Sequence, residues 1–77
     1  MTDEVAQQAA AVATANETKA ALIYNASEQI APLQDAVDLG MATDEEKARF
    51  DVWRKYRVLL TRVDTSQAPY ITRPDIP

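Results

Sequence analysis

Cysteine and histidine are both missing from this 77-residue chain. Their absence excludes a disulfide framework, a zinc site of the Cys/His type and histidine-based acid–base catalysis. The missing cysteine also fits a reducing compartment such as the cytoplasm. Glycine occurs once, at Gly40, so no glycine-rich phosphate loop can form. Long apolar runs are missing too. None approaches the roughly 20 residues that span a membrane, and no stretch reads as a secretion signal.

Alanine is abundant, and apolar residues make up 47% of the chain. Alanine buries little surface, so Leu, Ile, Val, Met and the aromatics must form the core. A core this small is marginal alone, which favours a partner or an oligomer. Charge is unevenly placed. Nine acids against Lys19 leave residues 1–46 at −8, six bases against Asp51 leave 47–63 at +5, and the tail adds −1, for a net −4. An acidic first half and a basic second half can attract each other within one molecule.

The pattern predicts two helices. The first runs from about Asp3 to Leu39, with Thr2 as N-cap and Asp3 and Glu4 in the first turn. Val5, Ala9, Val12, Asn16, Lys19, Ile23, Ala26, Ile30, Leu33 and Val37 follow a strict alternation of four and three, which marks one helical face. Asn16 and Lys19 break that stripe. Pro32 costs a helix interior about 3 kcal/mol, so the helix either ends near Ile30 and restarts or bends and continues. The stripe passes Pro32 without a slip, which favours a kinked, continuous helix. Gly40 is placed to end it. Thr43 and Glu46 then form a capping box for a second helix, about Asp44 to Val63. Its expected inner stripe is Ala48, Val52, Tyr56, Leu59 and Val63, widened by Trp53 and Leu60.

A loop of about four residues implies an antiparallel hairpin. Facing residue numbers should then sum to roughly 82. Ala26 meets Tyr56, Ile30 meets Val52 and Trp53, Ile23 meets Leu59, and Lys19 reaches Val63 and Asp64. The same register sets Asp35 near Lys47 and Glu28 near Arg54 and Lys55. The first helix, about 54 Å long, outruns the second, about 30 Å long. Residues 1–18 therefore have no partner inside the hairpin: they either fray, pack on another chain, as in a homo-oligomer through this N-terminal half, or join a domain that these residues do not contain.

Little else points to chemistry. Ser27 and Ser66 have no histidine, and carboxylate pairs such as Asp35 and Asp38 sit where helix surfaces carry charge. The chain calls for no metal, no cofactor and no catalytic residue. The cluster "WRKYR" (Trp53 to Arg57) mixes bases and aromatics as nucleic-acid binders do, but at helical spacing Trp53 and Tyr56 fall beside the core stripe. An acidic chain also suits phosphate backbones poorly. "NET" (Asn16 to Thr18) and "NAS" (Asn25 to Ser27) match glycosylation sequons only in mid-helix. "VDTSQAP" (Val63 to Pro69) stops a helix, because Asp, Thr and Ser bond their own backbone. Tyr70, Ile71 and Ile76 follow in a proline-rich, extended tail and want a surface, either Trp53 or a partner.

Four motifs resemble one known family. "APLQDAVDLG" (Ala31 to Gly40), "ATDEEK" (Ala42 to Lys47), "W-x-x-Y-R" (Trp53 to Arg57) and "VDTS-x-AP" (Val63 to Pro69) match, in order and spacing, the C-terminal region of tail fibre assembly proteins of bacteriophages and prophages. The resemblance implies a non-enzymatic chaperone of the host cytoplasm, in some members retained on the virion's fibre. Such a chaperone helps a trimeric tail fibre fold, through contacts expected at Asp64, Thr65, Ser66, Pro69 and Ile71. It also implies an N-terminal domain that these residues do not contain, so that the chain reads as a C-terminal fragment or a truncated copy. The family usually continues after "DTS-x-AP" with Asp-Ile and then Trp-Pro. Here Pro69 is followed by Tyr70 and Ile71, and Arg73 precedes Pro74. The expected architecture is an all-α helical hairpin with an extended tail. A bare coiled-coil oligomerisation module and a nucleic-acid-binding hairpin are the alternatives.

Overall fold

The computed structural model describes residues 2–77, with side chains from Glu4 onward. Its two helices are α1 (Thr2–Asp38) and α2 (Asp44–Thr61), followed by a short 3-10 turn at Thr65–Gln67. The molecule is thus the all-α hairpin that the periodicities imply. The expected cap at Thr2 and the first-turn acid Asp3 lie outside the described side chains. The 37 residues of α1 set the longest dimension, 59 Å.

α1 continues through Pro32. Both Pro32 and Glu28, whose carbonyl loses its helical donor, face solvent, where water can replace the missing bond. Gly40 then ends the helix at φ +69°. Its N–H donates to the Val37 carbonyl (3.1 Å) and the Met41 N–H to the Ala36 carbonyl (2.8 Å), the paired bonds of a Schellman stop. The capping box closes as expected. Glu46 N donates to Thr43 Oγ1 (3.1 Å) and Thr43 N to Glu46 Oε1 (3.0 Å). The backbone bond from Thr43, with the hydroxyl bond second, holds the Glu46 carboxyl below its ordinary pKa.

The core is two adjoining clusters along the hairpin seam. Ala26, Tyr56 and Leu60 form one, with Leu22, Ile23 and Trp53 packed against it. Ile30, Leu33 and Phe50 form the other, with Val37 and Trp53. Ala26 opposite Tyr56 fits a small residue to a large one, and the antiparallel register follows the expected sum. Trp53 joins the clusters and meets Tyr56 edge to face, with ring centroids 5.7 Å apart.

The face of α2 differs from the expected stripe. Phe50, Trp53, Tyr56 and Leu60 point inward, whereas Ala48 is exposed and Val52 and Leu59 remain 50% and 49% exposed. Ile23 therefore packs on the cluster of Leu60, and Ile30 on that of Phe50 with Trp53 as expected, while Leu59 and Val52 stay half exposed. The reason is volume. Two stripes compete for the seam, and burial gains scale with apolar area. Phe50 and Trp53 hide more than Ala48 and Val52 can.

The expected ion pairs across the hairpin do not form among the described residues. Arg54 lies over the Phe50 ring, 4.9 Å from its centroid, and Arg57 donates to Ser27 Oγ (3.2 Å). Exposed pairs of this kind are each worth only about 0–1 kcal/mol, so nothing compels them to close.

Candidate functional site

The part of α1 that outruns α2 is covered by the tail. After Thr61 the chain leaves the helix but keeps its antiparallel course toward the start of α1. Lys19 Nζ donates to the Val63 carbonyl (2.9 Å) and to the Thr61 carbonyl (3.2 Å). These carbonyls lie at the negative end of α2, where a cation is favoured. Further on, Thr65 Oγ1 donates to Asn16 Oδ1. Gln8 Nε2 then donates to the Ala68 carbonyl (3.0 Å), and Ala68 is only 2% exposed. Residues 1–18, which were expected to have no partner inside the hairpin, are thus reached by the tail, at Gln8 and Asn16. The ground for a homo-oligomer there narrows to Val5 and Ala9, which stay exposed.

A local device starts this return. Asp64 caps the 3-10 turn, accepting from Ser66 N (2.9 Å) and Ser66 Oγ (2.6 Å). These two bonds, the hydroxyl first, with help from Lys19, hold the Asp64 carboxyl below its ordinary pKa. The Ala68–Pro69 peptide is cis.

Between tail and helix lies an open groove of about 410 Å³. Its floor is small: Ala11, Thr14, Ala15 and Thr18 from α1. Its far wall is Thr65, Ala68, Pro69 and Ile71 from the tail. Lys19 and Arg73 also line it, and no acidic residue does among the described residues. The volume is that of an ordinary ligand or side-chain pocket, which runs about 300–1,000 Å³.

Of the five residues expected at a contact site, the groove brings together Thr65, Pro69 and Ile71. Asp64 and Ser66 do not face it; they hold the turn that aims the tail. Tyr70 is 88% exposed, so the tail does not fold onto Trp53. Gln8 was not singled out from the sequence, whereas the hairpin register brought Lys19 to Val63, as the structure has it. Asn16 and Lys19 are the polar breaks in the apolar stripe, and both bond the returning chain.

Fold and groove define a class: a short helical hairpin whose C-terminal tail doubles back and builds an open, cationic groove. The chain belongs to the tail fibre assembly protein family, whose profile, described as "Caudovirales tail fibre assembly protein, lambda gpK", matches residues 1–77. It is 55% identical over 75 residues to Protein TfaD of Escherichia coli K12, covering 97% of this chain and 40% of that protein. It is 53% identical over 75 residues to the tail fiber assembly protein of Escherichia phage lambda, at 97% and 39% coverage. It is 45% identical over 73 residues to the tail fiber assembly protein U of Escherichia phage Mu, at 95% and 38%. The chain thus spans about two fifths of the length of these relatives. No solved structure matches it. No helix among the described residues is long and apolar enough to cross a membrane.

Proposed function

We propose that the chain is the fibre-contacting module of a tail fibre assembly chaperone and works by holding, without catalysis. The groove between α1 and the tail carries this reading. It is built by the family's own "VDTS-x-AP" motif, it is open, and it offers apolar walls beside two cations. Such a surface suits an extended apolar segment that also carries a carboxylate. A fibre chain before trimerisation exposes segments of this kind, and covering them prevents their association with the wrong partners. The partner in this reading is the phage tail fibre protein, met in the cytoplasm of the bacterial host.

The test is co-expression of the fibre with the longer protein that carries this module. The wild-type module should raise the yield of soluble fibre trimer. Ala15→Trp, which fills the groove floor, should abolish the gain while leaving the hairpin's circular dichroism unchanged. An undiminished gain with the blocked groove would place the contact elsewhere. No gain with wild type would remove the holding role itself.

A further inference from the structure

The hairpin leaves a second repeating stripe on each helix, and the two stripes carry opposite charge. On α1 the positions opposite the core alternate by four and three: Glu17, Ala21, Tyr24, Glu28, Ala31 and Asp35. All six are exposed, Tyr24 at 69%. On α2 and its C-cap, an outer row has the same alternation: Ala48, Val52, Lys55, Leu59 and Arg62, again all exposed. Stripes of this spacing pack helix against helix. One is apolar with acids, and the other is apolar with bases.

The spacings also match. Glu28 and Asp35 are seven residues apart, as are Lys55 and Arg62, so both ion pairs can form together in one helix pairing. None of these four side chains makes a hydrogen bond or ion pair among the described residues. A shallow groove of about 460 Å³ runs along the α2 stripe, lined by Lys55, Leu59 and Arg62 with Arg54 and Val58, and by one acid, Asp51. Leu59 and Arg62 also line a groove with Tyr70 and Arg73 of the tail, where one acid, Asp64, stands beside the two bases.

We infer that the α2 stripe of one molecule docks on the α1 stripe of a second copy of the same chain. The occupant is a second copy because the charge and spacing that complement each stripe are present on the other. The hairpin's own register, fixed by the core, keeps a molecule from pairing the two stripes within itself. The contact joins two different surfaces of the chain, so each molecule carries both halves of it, as acceptor on α1 and as donor on α2.

The experiment is sedimentation velocity of the 77-residue chain from micromolar to millimolar concentration. Two variants, Glu28→Lys/Asp35→Lys and Lys55→Glu/Arg62→Glu, are run alone and mixed. Wild type should associate progressively, and its apparent dissociation constant should weaken about tenfold between low and high salt, as screening shortens the reach of exposed charges. Each variant alone should associate at least tenfold more weakly. The equimolar mixture, in which a basic α1 stripe meets an acidic α2 stripe, should recover association to within about threefold of wild type. All four residues are exposed, so circular dichroism should show both variants folded. Wild type that stays monomeric at millimolar concentration overturns the inference. So do variants that associate as wild type does, or a mixture that associates no better than its components.

Discussion

Replacing Lys19 with methionine keeps the length of the apolar stem but removes the ammonium at its end. Two acceptors lose their donor: the half-buried Val63 carbonyl at 2.9 Å and the exposed Thr61 carbonyl at 3.2 Å. A hydrogen bond to a charged group contributes about 1.5–3 kcal/mol when sheltered and less in open water. The longer, exposed bond adds little, and part of the macrodipole contribution is lost with the charge. The expected cost is about 2 kcal/mol. For a domain of this size, each kcal/mol shifts Tm by about 4–8 °C, so the melting point should fall by roughly 10 °C. Urea and thermal denaturation followed by far-ultraviolet circular dichroism measure this directly. Lys55→Met is the control, because that side chain is exposed and unbonded and should change stability by less than about 0.5 kcal/mol. A second readout separates tail release from helix loss. Amide exchange at Ser66 and Ala68 should accelerate more in the Lys19 variant than exchange at Tyr56 or Leu60. If Lys19→Met costs no more than its control, or leaves Ala68 protected, Lys19 does not anchor the tail.

Three further outcomes are expected. Phe50→Ala should cost about 3 kcal/mol, as buried aromatics do, whereas Val52→Ala and Leu59→Ala should each cost less than about 1 kcal/mol; the reverse order in urea denaturation would put the other face of α2 in the seam. Tyr56 is buried and its hydroxyl has no partner among the described residues, so Tyr56→Phe should be neutral or stabilise by up to about 1 kcal/mol, and a clear loss in the same assay would reveal a bond to that hydroxyl. Asp64 has a folded pKa below its unfolded value, so its contribution is present above the ordinary aspartate range and is lost as pH falls through the lowered folded value. Titration followed at the Ser66 amide by NMR should therefore show the turn loosening only at pH values below that of a free aspartate, and a midpoint at or above the ordinary value would contradict the capping role.

Much of the hairpin was legible because its strongest local features do not depend on tertiary context. Thr43 with Glu46, and Gly40 with its left-handed φ, are each decided within six residues of chain. The stripe from Ile23 to Val37 reads through Pro32 because a solvent-facing proline disturbs only an outer carbonyl. The inner face of α2 was harder to read. Two stripes share Tyr56, and spacing alone cannot rank them; the volume of Phe50 and Trp53 against Ala26 and Ile30 does. The strict alternation of four and three also drifts on a straight helix. Val5 and Ala9 therefore rotate off the covered face, and Ala11, Ala15 and Thr18 take their place.

The tail was the least legible part, and for a physical reason. Its cover of α1 rests on side chain to carbonyl bonds between residues far apart in sequence, Gln8 with Ala68 at a separation of 60 and Lys19 with Val63 at 44. A carbonyl acceptor leaves no mark in a sequence, because every residue carries one. Only the donors can be read. Asn16 and Lys19 look like flaws when the stripe is judged as a seam for a helical partner. They become necessary once the partner is a non-helical strap with unsatisfied carbonyls. The same exchange of helix for strap explains the groove. A strap fills less width than a helix, and the alanines beneath it cannot reach across the gap. The void that remains is lined by whichever tail residues point inward, and here those include Ile71 and Arg73.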